Sequence, residues 1–304
     1  GHRHVINLVI DNWAQWFVTV PGAINLVQGP ANYENLLRMG VPSDQLRLAG
    51  HWVPKEMRDN IELDCRSRMV RAKDGRSPRR LLVPVGGAGA QRKFVSGFVA
   101  GLKQEIVDGK VRVFLNAGDH THMHKALKEA LEKMGVEYQV LTTFDEMKAL
   151  ADKLVEGQKA AGRERKAPAV EEVLSSEEGV PPVTLLAFDN YFAAVAATDI
   201  MLRASDILCC KPSEMAFYPA PKLMIRRVGD HEAHSATRAQ ELGDGTKEVR
   251  TLEEASKYVE MMCSPSDPAL FMNMNRCVIA NAGAGVYDGC KVAVELAAEL
   301  AKQA

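Results

Sequence analysis

Several features that would mark a functional class are missing from this sequence. It has no Cys-x-x-Cys pair, and no apolar run approaches the roughly 20 residues of a membrane-spanning helix. The first residues lack the basic segment, apolar core and cleavage site of a signal peptide. Basic and acidic residues nearly balance, at 38 against 39, which argues against a nucleic-acid binder driven by bulk electrostatics. With 304 residues, 46% of them hydrophobic, the chain can form one large or two modest α/β domains.

The cysteines favour a reducing compartment. None has the spacing of a zinc site, and Cys209 and Cys210 are adjacent within an apolar run. This pattern predicts reduced, buried thiols, no disulfide framework and no metal site, and with the missing signal peptide it predicts a cytoplasmic protein. The others are Cys65, Cys263, Cys277 and Cys290.

Strand-like and helix-like segments alternate, a pattern that favours an α/β fold with a parallel sheet. The polar segment 160–179 is expected to be an exposed insertion or partly disordered. We expect strands at 5–10, 24–28, 46–49, 80–85, 111–116, 138–141, 183–187, 207–210 and 223–226. We expect helices at 31–39, 55–71, 93–107, 124–134, 145–159, 191–204, 232–242, 252–262 and 284–302.

The amino end is abrupt. The chain starts with Gly1 and His2 rather than a methionine, and a strand follows immediately. We therefore interpret the chain as the carboxyl part of a longer protein. The segment 74–78 is rich in turn residues and predicts a linker, which divides the chain into 1–75 and 76–304.

A glycine-rich turn follows the apolar strand at 80–85 and opens an amphipathic helix. Its glycines are Gly86, Gly87 and Gly89. Glycines let a ligand approach the backbone, and a helix start presents free N–H groups, so this turn predicts a phosphate cradle. The letters match neither a P-loop nor a clean dinucleotide fingerprint. A tight turn without a ligand is the alternative.

Two later loops also follow strands. Lys211 and Glu214 come after the strand at 207–210, where ligands of parallel sheets gather. Lysine can hold a phosphate and glutamate can accept hydrogen bonds from sugar hydroxyls; a solvated surface ion pair is the alternative. In the loop 228–235, Glu232, His234 and Ser235 are candidate ligand contacts, while Asp230 as a helix cap would explain the loop without a ligand. His231 and His234 lack further ligands for a metal.

The segment 116–124 carries His120, His122 and His124. These three histidines, at alternate positions, would line up as metal ligands only if the segment is extended. We favour a strand-to-helix turn capped by Asp119 or Thr121, with His120 or His122 as a nucleotide or sugar contact.

Aromatic residues follow two strands. Phe188, Asp189 and Tyr191 could contact a planar base, or could be a core aromatic beside a helix cap. Trp13, Trp16 and Phe17 form either a core cluster or the wall of a second-substrate site, and we favour the core.

In this order, the segments resemble GT-B glycosyltransferases, most of all the lipid-linked N-acetylglucosaminyltransferase of peptidoglycan synthesis and the monogalactosyldiacylglycerol synthases. The family's Gly-Gly-x-Gly loop corresponds to 86–89, its Lys-Pro-Gly to Lys211, Pro212 and Ser213, and its Gly-x-Glu-x-x-Asn-like segment to 229–235. The family's glycine after Lys-Pro is Ser213 here, and its asparagine is Ser235. The segments 40–50 and 243–245 also match the family pattern.

The resemblance implies a Rossmann-like parallel sheet flanked by helices at 76–304, preceded by the remnant of an amino-terminal α/β domain, against which the last helix packs. It also implies metal-independent transfer of a sugar from UDP or another nucleotide, without a cofactor. The acceptor is unknown, and the catalytic residue is unassigned. A missing amino-terminal domain or a separate subunit would bind the acceptor, and peripheral contact with a membrane stays open. The implied donor contacts are Gly86, Gly87, Gly89, His120, Asp189, Lys211, Ser213, Glu214, Glu232 and Ser235.

Two other functions stay open. A nucleotide-sugar epimerase of the same architecture would need a histidine and carboxylates in the cleft, which His120, His231 and His234 allow. A non-catalytic nucleotide-sugar-binding subunit would work with a separate acceptor-binding partner. Fold alone does not decide among these functions.

Overall fold

The structure is a computed structural model that describes residues 4–85, 89–160 and 169–303. For 156–160, Glu214 and Gln303 it describes the backbone path only. All strand pairs in both of its sheets are parallel, and helices flank the sheets, which confirms the predicted α/β class.

A small sheet forms first and has the strand order β1-β2-β3. Its strands are β1 (Ile6–Leu8), β2 (Ile24–Val27) and β3 (Leu46–Leu48). The helices of this part of the chain are α1 (Pro30–Arg38), α2 (Lys55–Asp59) and α3 (Ile61–Asp74).

A larger sheet has the order β6-β7-β5-β4-β8-β9. The chain leaves β4 toward β5 on one side and later returns to β8 on the other, so the β4/β8 junction is a topological switch point. Its central strands β4 and β8 are buried along their whole length, because helices cover both faces of the sheet. The strands are β4 (Arg79–Pro84), β5 (Val111–Asn116), β6 (Tyr138–Leu141), β7 (Val183–Leu186), β8 (Ile207–Cys210) and β9 (Lys222–Met224).

The remaining helices form two layers and a tail. Phe98, Leu127 and Val259 pack on one face of the large sheet, and Met147 and Met201 pack on the other. The helices are α4 (Arg92–Gly101), α5 (Lys103–Val107), α6 (Thr121–Met134), α7 (Phe144–Ala160), α8 (Val170–Ser176), α9 (Tyr191–Ala204), α10 (Ala233–Glu241), α11 (Leu252–Cys263), α12 (Ala269–Gly283) and α13 (Gly289–Gln303).

The last helix returns to the first sheet. Leu296 of α13 is buried against Leu26 of β2 and Ala49 after β3. The backbone amide of His51 donates to the carbonyl oxygen of Val286 at 2.6 Å, which fixes the segment before α13 beside the end of β3. The expected packing of the last helix is confirmed.

Three predicted helices have other bounds. The expected helix at 55–71 breaks at Asn60 into α2 and α3, and the one at 93–107 breaks at Leu102 into α4 and α5. The expected helix at 284–302 begins only at Gly289, and α12 before it was not predicted.

The prediction for the polar segment 160–179 is wrong for the part that the structure describes. Residues 170–176 form α8, and Glu177 just after it is buried. The Glu177 carboxylate lies 2.8 Å from Arg80 Nη2 and 3.1 Å from Arg112 Nη1. This end of the segment is therefore part of the folded core, because the buried Arg80 and the mostly buried Arg112 need a counter-charge.

The cysteine prediction is partly wrong. Cys290 is exposed and Cys277 is half-buried, whereas Cys65, Cys209, Cys210 and Cys263 are buried. All six lie in described segments, and none of them forms a disulfide bond there. No helix within the described ranges combines the length and the apolar character needed to cross a membrane.

Candidate functional site at the carboxyl edge of the large sheet

The loops that follow β4, β5, β8 and β9 lie at one edge of the large sheet. Because all its strands are parallel, their carboxyl ends face the same side. The switch point between β4 and β8 opens there, which is where ligands bind in open α/β sheets.

Two residues just before α4, Gly89 and Gln91, have left-handed backbone conformations. Gly86 and Gly87 lie outside the described residues. Gly89 has φ +58°, and a Cβ atom added to it would lie 2.7 Å from Cε1 of His122 and 3.0 Å from Cγ of His120. Gln91 precedes α4 with φ +65° and donates from its side-chain amide to the carbonyl oxygen of Arg226, beyond β9. This hydrogen bond ties the loop after β4 to the loop after β9.

The histidine segment after β5 is mostly helical. α6 starts at Thr121 with His120 as its N-cap residue, and no side chain makes a capping hydrogen bond, so the predicted Asp119 or Thr121 cap is wrong. His122 Nε2 lies 3.0 Å from the carbonyl oxygen of Gly89. Across the described ranges, no three His, Cys, Asp or Glu side chains form a group that could hold a metal ion.

Lys211 and Glu232 form an ion pair across the loops that follow β8 and β9. Glu232 is only 4% exposed, and its Oε2 accepts the amides of Val228 at 2.7 Å and Gly229 at 3.3 Å. Burial raises the pKa of the Glu232 carboxyl, but the hydrogen bonds from Lys211 and Val228 outweigh it, so the pKa lies below its usual value. An ionised Glu232 therefore fixes the ammonium group of Lys211 at the switch point.

The remaining predicted residues differ in their surroundings. The Ser213 hydroxyl is buried and has no hydrogen-bond partner within the described structure, and Glu214 begins a short 3-10 helix. The Ser235 hydroxyl accepts a hydrogen bond from Asn12 Nδ2 at 3.4 Å. Asp189 is exposed and lines a separate hollow, to which neither Lys211 nor Glu232 contributes.

The aromatic segment 188–191 after β7 contributes one buried side chain to the core and one side chain that caps α9. Phe188 is buried, and the Asn190 side chain caps α9 by accepting the amides of Phe192 at 2.8 Å and Ala193 at 3.2 Å. Tyr191 is exposed at the mouth of a cavity.

This cavity has a volume of about 240 Å³ and lies below the loops that follow β4 and β5. At its base, Asn116 Nδ2 donates to Thr198 Oγ1 at 3.0 Å, and Tyr218 donates a hydrogen bond to Asp199. The sequence did not point to Thr198 or Tyr218, because a crossover helix and an irregular loop bring them here. Its lining includes Val85, Asn116, Gly118, Asp119, His120, Tyr191, Ala194, Val195, Thr198, Met215 and Tyr218.

A basic hollow of about 460 Å³ lies between the start of α4 and the loop after β9. Arg92, Lys93 and Arg226 are exposed there, and their side chains pair with no described residue. Arg227 is paired with Glu248 at 2.7 Å. The lining residues include no acid. The sequence analysis missed this concentration of positive charge, because Arg92 and Arg226 are 134 positions apart and only the fold brings them together. The signal available was the Arg-Lys pair at 92–93.

The expected aromatic core after β1 is wrong. Trp16 is 73% exposed and Phe17 is 59% exposed. Trp13 packs instead against His231, with ring centroids 6.1 Å apart. Other side chains form the apolar core beside the small sheet: Val9, Ala14, Val27, Leu36 and Leu46.

A family model described as "Domain of unknown function (DUF6938)" matches residues 41–298, which include all of the large sheet. The chain belongs to this family. A solved structure titled "Crystal Structure of WaaG, a glycosyltransferase involved in lipopolysaccharide biosynthesis" is 12% identical, with a TM-score of 0.42. That alignment covers 94% of this chain and 64% of the other, so this chain spans less than two thirds of the length of that protein. No functionally curated protein matches the sequence.

Proposed function

We propose that the protein binds a nucleotide sugar at the carboxyl edge of the large sheet and transfers the sugar to an acceptor, as in GT-B glycosyltransferases. The observation that carries this proposal is the set of unpaired cations, Arg92, Lys93 and Arg226, beside Lys211 at the switch point. The motif resemblance at 86–89, 211–213 and 229–235 supports it independently.

The diphosphate is proposed to lie between the loop after β4 and the loop after β9. A chain with net charge −1 concentrates unpaired basic side chains at this place. Arg92 and Lys93 also occupy the first turn of α4, where the helix dipole disfavours cations unless an anion is bound. A diphosphate would relieve this repulsion.

The nucleoside is proposed to occupy the adjoining cavity. Tyr191 and Tyr218 supply aromatic surface, and Asn116 and Thr198 supply polar groups, which is the mixture typical of small-ligand sites. Ser213 has a buried hydroxyl available for a sugar hydroxyl. Glu232 acts as a positioning residue, because it holds Lys211 through one oxygen and its own loop through the other.

In the transfer, the bond between the anomeric carbon and the diphosphate breaks, and negative charge grows on the leaving diphosphate. Cations placed beforehand at that charge stabilise the transition state more than the ground state. Lys211 is the best-ordered of these groups, since a buried carboxylate fixes it.

Calorimetric titration with UDP, other nucleoside diphosphates and their sugars tests this proposal. Saturable binding is expected, and Lys211→Met should weaken it by about tenfold or more, the order expected for losing one charge-assisted contact. Lys110→Met is the matched control, since Lys110 is exposed and pairs with Asp108 just before β5, at the opposite edge of the large sheet. A folded wild-type chain that binds no nucleotide would exclude the proposed donor site.

One observation favours a second function, nucleotide-sugar epimerisation. His120 and Asp119 line the same cavity, so an imidazole and a carboxylate could serve as acid and base. Incubating the chain with a nucleotide sugar and no acceptor separates the two functions by nuclear magnetic resonance. A new sugar epimer would indicate the epimerase, and unchanged donor that is consumed only with an acceptor would indicate the transferase.

A further inference from the structure

A second cavity lies on another side of α9 from the cavity proposed for the nucleoside. It has a volume of about 380 Å³ and is bounded by α2, α7 and α9, and we call it the α7–α9 cavity. The two cavities have no described lining residue in common. Thr198 lines the first, and the next residue along the helix, Asp199, lines the second. The α7–α9 cavity is therefore a separate site, which the proposed sugar transfer does not use.

The floor of the α7–α9 cavity is apolar. Met57, Ala151 and Val155 line it, and each of them is at most 4% exposed. Phe144 and Ile200 extend the apolar lining toward the opening. A cavity of this size can hold a small organic molecule, and transfer of an aliphatic chain from water to such a floor is favourable.

Most of the charged side chains at the α7–α9 cavity already have a partner. Lys148 Nζ lies 2.8 Å from Asp152 Oδ2. Arg203 Nη1 lies 2.8 Å from Glu56 Oε1, and Arg203 Nε lies 3.3 Å from Asp64 Oδ2. The described lining contains one more acid than base, so it carries a net negative charge when all these groups are ionised.

The remaining acid, Asp199, lacks a cation. Its Oδ1 accepts a hydrogen bond from the Tyr218 hydroxyl, whereas its Oδ2 pairs with no residue that the structure describes. The side chain is half-buried. Burial raises the pKa of the Asp199 carboxyl, and the hydrogen bond from Tyr218 offsets this only in part. A cation bound in the cavity would supply the missing counter-charge.

We propose that the α7–α9 cavity binds a primary amine that carries an aliphatic chain. The ammonium group would donate a hydrogen bond to Oδ2 of Asp199, and the chain would lie on the apolar floor. An ammonium group suits this wall better than a hydroxyl group, because only the ammonium neutralises the carboxylate. The inference stands independently of the proposed sugar transfer.

Calorimetric titration of the full chain with hexylamine, in the absence of nucleotide, tests this site. Saturable binding is expected. Hexanol has the same chain without the charge, so it should bind at least about tenfold more weakly. Asp199→Asn should weaken hexylamine binding by about tenfold or more and should remove the preference for hexylamine over hexanol.

Asp145→Asn is the matched control, because it makes the same chemical change outside the cavity. Asp145 is exposed in the first turn of α7 and does not line the cavity. Hexylamine affinity should change by less than about twofold in this variant, since an exposed charge is screened by solvent. Asp199→Asn removes a half-buried charge that has no counter-ion, so it should not lower the free energy of unfolding, which urea titration measures.

Several results would overturn the proposal. They are the absence of saturable hexylamine binding by the folded wild-type chain, equal hexylamine affinity in Asp199→Asn and wild type, and hexanol binding as tight as that of hexylamine. A lysine of a second copy carries the same ammonium group. A wild-type dimer in sedimentation that Asp199→Asn dissociates would therefore assign the cavity to a protein side chain and overturn the small-molecule site. None of these readouts requires nucleotide binding, so the donor-site proposal can fail without affecting them.

Discussion

At the residue scale, the candidate site depends on a few residues whose conformations are restricted by their neighbours. Glu232 keeps Lys211 in place, and Gly89 admits His120 and His122 beside the loop. Lys211 was visible in the sequence because it directly follows an apolar strand. Arg226 was not visible in this way. Its loop reaches the start of α4 only in the folded chain, where the Gln91 side-chain amide donates to the carbonyl oxygen of Arg226.

Gly89→Ala should lower both stability and nucleotide affinity. The new Cβ atom would sit at positive φ and 2.7 Å from His122, so the loop must shift. We expect unfolding to become easier by about 2 kcal/mol and nucleotide binding to weaken by at least about tenfold. Gly109 has the same kind of backbone, at φ +67°, but an added Cβ atom would meet nothing within 4 Å. Gly109→Ala should therefore lower the free energy of unfolding only through backbone strain and leave nucleotide affinity unchanged. Equal nucleotide affinity in the two variants would remove the loop after β4 from the site. Urea titration and calorimetry measure the two effects.

His51 should make stability fall as the pH falls. Burial lowers the pKa of its imidazole to about 3, and the positive charge of Arg238 acts in the same direction. Below pH 6.5 the unfolded chain takes up a proton that the folded chain does not, so the contribution present at neutral pH is lost toward pH 3. Between pH 7 and 5 we expect wild type to lose about 2 kcal/mol more than His51→Gln in urea unfolding. His234→Gln, at an exposed position, should follow wild type; parallel curves for all three would contradict the assignment.

At the scale of elements, the sequence predicted best where one pattern dominated. The bounds of β5, β6, β8 and α9 were predicted to the residue, because each is a clear apolar or helical run between turn residues. α12 was missed because its sequence is weakly amphipathic and a polar residue, Asn275, is among its buried positions. α8 was missed because composition alone cannot show that Glu177 neutralises the buried Arg80 and the mostly buried Arg112.

Glu177→Gln should destabilise the protein strongly. It leaves the guanidinium groups of Arg80 and Arg112 buried without their anion. We expect a loss of about 3 kcal/mol in the free energy of unfolding. Glu171→Gln on α8 is the matched control, since Glu171 is 80% exposed and should change stability by less than about 0.5 kcal/mol. Similar losses in the two variants, measured by urea unfolding, would show that the Glu177 pairs contribute little.

At the scale of the whole molecule, the two sheets are joined where the carboxyl ends of their strands face each other. Asn12, Trp13 and His51 reach across from the small sheet to Ser235, His231 and the carbonyl oxygen of Phe217. The α/β class followed from alternation along the sequence. The packing of Trp13 on His231, close to the basic hollow, did not, because long-range packing creates it.

Gly289→Ala should loosen the junction between α13 and the small sheet. The added Cβ atom would lie 2.6 Å from the carbonyl oxygens of both Gly50 and His51. Backbone atoms cannot rotate away, so we expect a loss of about 2 kcal/mol and faster proteolysis of residues 5–50. Gly283→Ala, with nothing within 4 Å and at the end of α12, should be neutral or slightly stabilising. Unchanged proteolysis and melting temperature in Gly289→Ala would show that the junction adapts.

The return of α13 to the small sheet has a consequence for synthesis on the ribosome. Leu26 and Ala49 emerge early, yet the residue that covers them, Leu296, is translated about 250 residues later. At about 5–20 residues per second, that face stays uncovered for some tens of seconds in each nascent chain. During this interval it offers apolar surface to chaperones and to neighbouring chains on the same messenger RNA. A transcript that ends before codon 289 would make that exposure permanent, so truncated products should accumulate as aggregates even though the large sheet is complete.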